Sequence, residues 1–428
     1  MSLSQLIRVW RAFNPPPVEK RGDALRFGIL GAANAAGMTL IIPAKLHPEV
    51  VIQAVAARDR RRAEDFARKN GIPEVKDSYQ DILDDPNIDC VLVPLPNSLH
   101  LEWAVRAIRA GKHVLLEKPS VANSIEAEML FRMPELHAPG APVLLEAFHF
   151  RFHPIWATFM SLVSPQDVVH VDTYSMIPWW FISKDHIHFN YDLAGGAMMG
   201  MGTYNFAALR LIFGAEPEQC LAAETKAFTE GMHHDCDYEF KTSFRFPNGG
   251  VGEAFSTLQG PSVWYPSYAV VTHRQVDVED RGLPETQQKL VTRQVTINGF
   301  IHAIFWHRID VKEAYEIRDR ATGRVVKKWT QKNTSRKGYT PREGGGGEGT
   351  AHLESEAHWT SFRYQLEAFV NRIRGRETAY WVDVEDSLKQ MRMLDMAYEK
   401  SGLGVRPTSK FRMEELTADS EAASAHRC

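Results

Sequence analysis

Residues 111–119 read Gly111-Lys112-His113-Val114-Leu115-Leu116-Glu117-Lys118-Pro119, an apolar run of strand character that ends in an acid, a base and a proline. Gly111 is typical of a helix end, and residues 114–116 have the composition of a strand that is buried on both faces of a parallel sheet. Open α/β sheets bind ligands at the carboxyl ends of such strands. Lys118 therefore stands where chemistry is expected, although a surface lysine that ends a strand would give the same pattern.

A turn rich in small residues precedes this stretch. Residues 25–30 have strand character and run into Gly31-Ala32-Ala33-Asn34-Ala35-Ala36, a degenerate form of the dinucleotide fingerprint Gly-x-Gly-x-x-Gly. Gly31 permits the tight turn, and the alanines that replace the other glycines are small enough for a phosphate to approach the N-terminus of the next helix. Turns of small residues also occur without a nucleotide. The residues expected to bind the cofactor here are Gly31, Ala33, Asn34 and Ala35.

The end of the second strand bears on the choice between NAD and NADP. Residues 50–56 form the strand pattern, and Ala57-Arg58-Asp59 follows it. NAD sites place a carboxylate here for the ribose 2′-hydroxyl, whereas the guanidinium of Arg58 is suited to a 2′-phosphate. NADP is therefore the expected cofactor. Asp59 keeps NAD as the less favoured alternative, and a solvated basic helix start would give the same residues.

A further candidate segment follows the strand pattern of residues 90–93. Two prolines end that strand, and Pro96, Asn97 and His100 are expected to line the cofactor. A helix cap without a ligand is the alternative for Asn97. Strand and helix patterns alternate from residue 26 to residue 147, which predicts an α/β fold with a doubly wound parallel sheet.

Length and composition narrow the function classes. A chain of 428 residues is too long for one ordinary core, so two domains are expected. The 50 Lys and Arg residues against 53 Asp and Glu residues give a net charge of −3, which offers no basic field for nucleic acid and no polybasic membrane patch. No apolar run reaches the ~20 residues of a membrane span, and the scattered cysteines suit a reducing compartment. We expect a cytoplasmic protein whose partners are small molecules or further subunits.

The second half of the chain contains another chemical segment, residues 192–204. Its double glycine lets a substrate lie against a helix start, and Gly200 and Tyr204 share one helix face. The Tyr204 phenol could act as the base or acid of hydride transfer if an adjacent ammonium lowered its pKa from ~10. Lys118 is the expected ammonium, and it would also stabilise an oxyanion. A core aromatic is the alternative for Tyr204.

Aromatic and histidine-rich segments lie on either side of that helix. Trp179 and Trp180 predict an apolar or aromatic wall of the substrate pocket. The histidines of residues 185–190 and the ligand-like residues 233–237 lack the spacing of a zinc site, so no metal is expected.

The second domain opens with Glu146-Ala147-Phe148-His149-Phe150-Arg151-Phe152-His153-Pro154. Together with the turn at Gly31 and the motif Glu117-Lys118-Pro119, this segment resembles the Gfo/Idh/MocA oxidoreductase family. Within that family the chain is most similar to the NADP-dependent D-xylose dehydrogenases and dimeric dihydrodiol dehydrogenases, which have a tyrosine at the position of Tyr204.

The resemblance implies a Rossmann domain followed by an α/β domain with a large open, mostly antiparallel sheet, through which a homodimer is expected. It implies that Glu117 and Lys118 lie at the nicotinamide, usually with a cis peptide before the proline. The substrate-pocket residues that it implies are His149, Arg151, Trp179, Trp180 and Gly200.

Position 200 is the main departure from the family, since relatives carry an aspartate where this chain has Gly200. The expected activity is still hydride transfer at a hydroxyl-bearing carbon of a sugar-like or cyclic alcohol, as in a D-xylose 1-dehydrogenase, with Lys118 and Tyr204 as the polar catalytic pair. One alternative is an apolar secondary metabolite as substrate. The other is a catalytically silent NAD(P)-sensing regulator, which the missing acid favours.

The predicted organisation has a leader over residues 1–25, whose apolar residues at helical spacing are expected to dock as an amphipathic helix. The Rossmann domain is expected over 26–147 and the substrate and oligomerisation domain over 148–412. A mobile polar insertion is expected at 331–350 and a disordered tail at 413–428.

Overall fold

The apolar runs up to residue 146 form a six-stranded sheet in a computed structural model of the chain. The strands are β1 (Leu25–Leu30), β2 (Val50–Ala56), β3 (Glu74–Val75), β4 (Cys90–Val93), β5 (His113–Leu116) and β6 (Leu144–Glu146). They lie in the order β3-β2-β1-β4-β5-β6, and every neighbouring pair is parallel. This is the strand order of a doubly wound dinucleotide-binding sheet, so the predicted fold class is confirmed. The structure describes residues 3–183, 185–229, 233–340 and 356–412.

Helices precede and connect these strands. They are α1 (Leu3–Phe13), a π-helical turn (Gly37–Ile41) continued by α2 (Ile42–Lys45), α3 (Arg60–Asn70), α4 (Tyr79–Asp84), α5 (His100–Arg109) and α6 (Ser124–Phe131). Capping residues set their ends. Asp59 accepts the backbone N–H of Arg62 at the start of α3, and Gly71 ends that helix in the left-handed conformation. Asn123 caps α6 by accepting the backbone N–H of Glu126.

A second sheet of nine strands follows. Its strands are β7 (Val168–Pro178), β8 (Gln219–Ala227), β9 (Asp237–Arg245), β10 (Val251–Gly260), β11 (Tyr268–His273), β12 (Val276–Val278), β13 (Gln287–Asn298), β14 (Arg308–Asp319) and β15 (Val325–Arg336). The main order is β15-β14-β13-β11-β7-β10-β9-β8, with β12 beside β13. The β7–β10 pair is parallel and the others are antiparallel. The large, mostly antiparallel sheet is therefore confirmed.

The last strands of this sheet depart from the expected organisation. The chain breaks after His273, where β11 ends, and resumes as β12, which continues along β13 but has no pairing with β7. The polar insertion predicted at 331–350 overlaps β15, whose last residue is Arg336. Polarity misled here because β15 lies at the edge of the sheet, where one side of a strand faces solvent. Residues 341–355 and the predicted tail at 413–428 lie outside the described residues.

Four helices pack the second sheet against the first. They are α7 (Pro154–Met160), α8 (Thr203–Phe213), α9 (Ser361–Ile373) and α10 (Val384–Ser401). Helix α10 contacts both β8 and α6, and α9 contacts the helix that follows β1. The Asp395 carboxylate of α10 accepts the Ser124 backbone N–H of α6 at 2.7 Å. These contacts hold the carboxyl edge of the first sheet opposite α8.

The leader forms the predicted helix α1 but docks through an unexpected face. Gln5 and Ala12 are buried and Phe13 stacks on Phe305. The apolar residues Leu3, Leu6, Ile7 and Trp10 are exposed. Helical spacing of apolar residues thus predicted the helix but not its buried side. None of the described helices combines the length and apolar character that crossing a bilayer requires, and a homodimer through the nine-stranded sheet stays a prediction.

Candidate active site

Lys118 leaves the end of β5 and reaches across to the second half of the chain. The peptide bond between Lys118 and Pro119 is cis. The ammonium Nζ donates to the backbone carbonyl of Gly200 at 2.6 Å and lies 4.4 Å from the centroid of the Tyr204 ring. Lys118, Gly200 and Tyr204, three residues that the sequence singled out, are therefore in mutual contact.

Burial determines the charge state of this lysine. Desolvation lowers the pKa of Lys118 to about 8, although the nearby carboxylates of Glu117 and Glu146 oppose that shift. The Glu117 carboxyl is itself buried, and its pKa is raised. Lys118 and the Thr39 hydroxyl, on the helix that follows the Gly31 turn, oppose that rise. Glu117 thus lies between the lysine and the cofactor-binding side of the sheet.

Two buried side chains hold the turn that carries Lys118. The His100 ring lies between two carbonyl oxygens, with Nδ1 2.9 Å from that of Pro119 and Nε2 2.8 Å from that of Leu95. Burial lowers the pKa of His100 to about 4. The Glu146 carboxylate accepts the Ser120 backbone N–H at 2.8 Å. His100 was expected to line the cofactor, but its side chain is fully buried beneath the turn and its position is a supporting one.

Tyr204 lies in a different electrostatic environment from the one predicted. We expected Lys118 to lower the pKa of its phenol. Instead, burial raises the pKa of Tyr204 well above its ordinary value, and Glu117 adds to the rise. The reason is geometric, because Lys118 lies over the face of the ring and its ammonium donates to Gly200. The phenol oxygen contacts His149 Nε2 at 3.0 Å instead.

His149 is buried against the active site in a stack of rings. Its imidazole packs on Phe362 with centroids 4.0 Å apart and on His302 at 5.4 Å. Its second nitrogen, Nδ1, lies 2.8 Å from the hydroxyl of Ser361. Burial lowers the pKa of His149 well below its ordinary value, with further contributions from His302 and Lys118. The imidazole is therefore neutral and bonded to two hydroxyl groups.

The side chain beside Gly200 is a histidine from residues 185–190, a segment that the sequence analysis considered only as a metal site. A Cβ atom added at Gly200 would lie 3.6 Å from Nδ1 of His188. Burial lowers the pKa of His188 to about 3, and both His186 and Lys118 contribute. A neutral imidazole thus stands next to the position at which the family resemblance implied an aspartate. The signal for it was present, since the His186-x-His188 spacing attracts attention as a ligand pattern.

Three predicted pocket residues are not gathered at Lys118. Arg151 pairs with the Asp386 carboxylate and donates to the Tyr380 hydroxyl at 2.6 Å. Trp179 and Trp180 are 61% and 54% exposed, and both indole N–H groups donate to Ser262. The arginine thus supports the join between α10 and the second domain, and the tryptophans form part of the outer surface. Among the described residues, no group of three His, Cys, Asp or Glu side chains is arranged to hold a metal ion.

The turn after β1 has the geometry that the fingerprint predicts. Gly31 has φ +116°, and a Cβ atom there would lie 3.0 Å from Leu95, so the position suits glycine. Ala33 is half-buried, whereas Asn34 and Ala35 are exposed at the start of the helix. The backbone in this turn is thus open to an approaching phosphate, as a dinucleotide requires.

The end of β2 presents a cation rather than a carboxylate. Arg58 is exposed. The neighbouring Asp59 carboxylate is engaged as the cap of α3, and Arg62 donates to the carbonyl of Ala32 at 3.2 Å. Burial raises the pKa of Tyr79, and the Arg58 guanidinium beside the phenol opposes that shift. Arg58 and Arg62 thus place positive charge at the end of β2 and against the Gly31 turn.

Asn97 connects the two halves of the molecule at this edge. Its side-chain amide donates to the carbonyl of Ala194 at 2.8 Å. Pro96 directly precedes it at the start of a 3₁₀ turn and is half-buried. Asn97 therefore joins the sheet edge to the glycine-rich segment that leads to Gly200, and its side chain does not cap α5.

Two family models match the chain. Residues 25–137 match the oxidoreductase family with an NAD-binding Rossmann fold, and residues 167–275 match the GFO/IDH/MocA C-terminal domain. The chain belongs to the Gfo/Idh/MocA oxidoreductase family. The predicted family membership and the predicted enzyme class, an oxidoreductase, are confirmed.

Named members of the family are similar over most of their length. The chain is 29% identical to D-xylose 1-dehydrogenase (NADP(+)) 2 of Haloferax volcanii over 89% of this chain and 98% of that protein. It is 26% identical to the mouse (Mus musculus) trans-1,2-dihydrobenzene-1,2-diol dehydrogenase over 64% of this chain and 78% of that protein. Both relatives are named as dehydrogenases, of a sugar and of a cyclic diol.

A solved structure supports the fold. The 3-ketoreductase from Actinomadura kijaniata, in complex with NADP and TDP-benzene, superposes with a TM-score of 0.63 at 21% identity, over 88% of this chain and 98% of that chain. At this level of identity the likeness concerns the architecture alone.

Proposed function

We propose that this protein is an NADP-dependent oxidoreductase that transfers hydride between the nicotinamide and a hydroxyl-bearing carbon of a sugar-like or cyclic alcohol. The observation that carries the proposal is the position of Lys118. It lies just after β5, at the same sheet edge as the Gly31 turn, and its ammonium lies over the ring of Tyr204. A D-xylose 1-dehydrogenase-like substrate is the first candidate, in keeping with the Haloferax relative.

The cofactor would be held by the turn at Gly31, by Arg58 and by the Glu117 and Lys118 pair. The open backbone at the helix start fits a pyrophosphate, and the exposed guanidinium of Arg58 fits a 2′-phosphate. Asp59 is occupied as a helix cap, which disfavours a ribose 2′-hydroxyl partner there. When bound, NADPH supplies the hydride.

The protein side chains supply charge stabilisation and a proton. The Lys118 ammonium faces the position where oxygen would gain negative charge during carbonyl reduction. Tyr204 is the proton donor in that direction, because a raised pKa keeps its phenol neutral. Oxidation of the alcohol would have to start from the phenolate, a form that the raised pKa makes scarce near neutral pH. We therefore infer that reduction is the easier direction near neutral pH.

His188 replaces a missing polar contact in this proposal. Gly200 provides no carboxylate to accept a hydrogen bond from a substrate hydroxyl. The His188 ring beside Gly200 offers a neutral hydrogen-bonding partner instead. An NAD(P)-sensing regulator is the second candidate function, and Gly200 is the observation that favours it. The contact between Lys118 and Tyr204 favours the enzyme, because a sensor requires neither group.

Cofactor binding and turnover, measured in sequence, test the proposal. The quenching or enhancement of NADPH fluorescence gives the dissociation constant. Sugars and cyclic diols are then assayed with NADP⁺, and the corresponding ketones and lactones with NADPH. Turnover of at least one class is expected. Tight NADPH binding without turnover on any of them would support the regulator.

Replacement of Arg58 by glutamine is expected to weaken NADPH binding roughly tenfold or more, since a charge-assisted hydrogen bond contributes on the order of 1.5–3 kcal/mol. NADH binding should change little, because NADH has no 2′-phosphate. Arg68→Gln, an exposed arginine at the other end of α3, is the matched control. Equal weakening of NADH and NADPH by Arg58→Gln would refute the role in 2′-phosphate recognition.

The pH dependence of carbonyl reduction is expected to follow Lys118. Its pKa is lowered to about 8, so the ammonium is complete well below that pH and is lost as the pH rises through it. The reductive kcat/KM should therefore fall on the alkaline side of about pH 8. Gly200→Asp would place a carboxylate near the ammonium and should move this limb to higher pH. If the alkaline limb of the kcat/KM profile is unchanged in both Gly200→Asp and Lys118→Arg, it reports the titration of a group other than Lys118.

A further inference from the structure

A chain of three polar groups leads away from Tyr204. The phenol oxygen lies 3.0 Å from His149 Nε2, and His149 Nδ1 lies 2.8 Å from Ser361 Oγ. The three residues belong to α8, to the 3₁₀ turn His149–Phe152 and to the first turn of α9. Their side chains are buried. Elements far apart in sequence thus place three proton-carrying groups in a line.

The far end of this line opens on a cleft. Ser361 lines a narrow, largely apolar cleft together with Phe13, Met38, His302 and Thr360. The space in this cleft is about that needed for a single water molecule. At the other end, Tyr204 faces Lys118. The line therefore connects the substrate side of the tyrosine with a cleft that can admit one water to the serine hydroxyl.

The chemistry of the middle group suits transfer rather than storage of a proton. A neutral imidazole carries one N–H and one acceptor nitrogen, and both of its neighbours here are hydroxyl groups, which can either donate or accept. Both tautomers of His149 are therefore satisfied. Phe362 and His302 cover the faces of the ring, and burial disfavours the imidazolium.

We propose that His149 and Ser361 form a proton relay that restores the Tyr204 proton after each carbonyl reduction. Tyr204 gives its O–H proton to the substrate oxygen during carbonyl reduction. His149 passes its Nε2 proton to the phenolate and receives the Ser361 proton at Nδ1, and water in the cleft restores the serine hydroxyl. The net proton comes from solvent and all charges are restored, while His149 is left as its Nδ1–H tautomer and must exchange back to the Nε2–H tautomer before the next turnover. This proposal rests on the proposed function.

Kinetics of His149→Leu and Ser361→Ala test the relay. In His149→Leu, kcat for reduction should fall roughly tenfold or more, because a positioned proton-transfer group contributes on the order of 10²–10⁴-fold. KM and the NADPH dissociation constant should be unchanged. The solvent deuterium isotope effect on kcat should rise as reprotonation becomes limiting, and added imidazole should restore part of the rate of His149→Ala. Ser361→Ala should show the same pattern more weakly, since water can replace its hydroxyl.

The control is His153→Leu, which removes a buried histidine ring that packs on His307 and Tyr364 and belongs neither to the line nor to the cleft. It should lower stability at most and leave the isotope effect unchanged. A second readout needs no cofactor. In ligand-free protein with ¹⁵N-labelled histidine, Tyr204→Phe should shift the ring-nitrogen resonances of His149 more than those of His302.

The outcomes separate the relay from the proposed function. If the wild type turns over and His149→Leu has the same kcat and isotope effect as the wild type, the relay is overturned and the proposed function stands. Absence of a His149 response to Tyr204→Phe in the ligand-free protein also overturns it. Absence of wild-type turnover with NADPH bound overturns the proposed function and the relay together, whatever the resonances show.

Discussion

Replacement of Lys118 by methionine is expected to lower kcat for carbonyl reduction by roughly 10²–10³-fold, the effect of removing one preorganised donor from a developing oxyanion. Methionine has a similar length and no charge, so the shape of the site is retained. NADPH binding should change by only a few-fold, because the turn at Gly31 and Arg58 are untouched. Single-turnover kinetics with saturating NADPH separate the chemical step from binding.

The same substitution should not destabilise the protein. The Lys118 ammonium is partly buried, and among the described residues it donates to the carbonyl of Gly200 and forms no direct ion pair. A partly buried charge without a direct ion pair costs stability, and active sites often retain such a group for its chemistry. The melting temperature of Lys118→Met should therefore equal or exceed that of the wild type. Lys118→Arg is the charge-retaining control, and its branched guanidinium should not restore full activity. A Lys118→Met variant that keeps wild-type kcat would remove this lysine from the mechanism.

The parts of the site that the sequence predicted are those determined by local backbone chemistry. Gly31 stands at a turn that needs positive φ, and Lys118 lies two residues after the end of a short buried strand. Because all strands of the first sheet are parallel, their carboxyl ends meet at one edge. The resemblance to the family implied in addition that the second domain faces this edge. The contact between Lys118 and the segment of Gly200 and Tyr204 agrees with that expectation.

The parts that the sequence did not predict depend on tertiary packing. Ser361 reads as an ordinary residue at a helix start, and nothing near it in sequence points to His149. The pKa of Tyr204 was predicted in the wrong direction because the direction depends on where Lys118 ends relative to the ring. The same holds for His100, whose motif suggested a ligand contact and whose ring lies beneath the turn. Distances of a few ångströms between side chains decide such roles, and the spacing of residues along the sequence does not determine those distances.

The exposed face of α1 makes the same point at the level of a whole helix. Its apolar residues repeat at helical spacing, which predicts a helix and a buried apolar side. The structure buries Gln5 and Ala12 instead and leaves Trp10 63% exposed. The periodicity determined the conformation, whereas the docking face was determined by contacts with Phe305 and Tyr339 on distant segments.

Removal of the Tyr204 hydroxyl in Tyr204→Phe is expected to lower kcat for reduction by roughly 10²–10⁴-fold, the range for loss of a general acid. The phenylalanine ring keeps its place under Lys118, so the cation–π contact and the substrate space are retained and KM should change little. His149 Nε2 loses its partner, which should cost about 1–3 kcal/mol of unfolding free energy.

Tyr398→Phe provides the matched control for that cost. Its buried hydroxyl donates to Asp237 at 2.9 Å, so this variant loses a comparable buried hydrogen bond outside the proposed catalytic pair. Urea denaturation should show a loss of stability in both variants, whereas only Tyr204→Phe should lose kcat. If the two variants lose activity in proportion to their stability, Tyr204 is a structural tyrosine. If Tyr204→Phe alone loses turnover while Lys118→Met retains it, the acid acts without the ammonium. The oxyanion must then be stabilised by another group, and the His188 ring beside Gly200 is a candidate neutral donor.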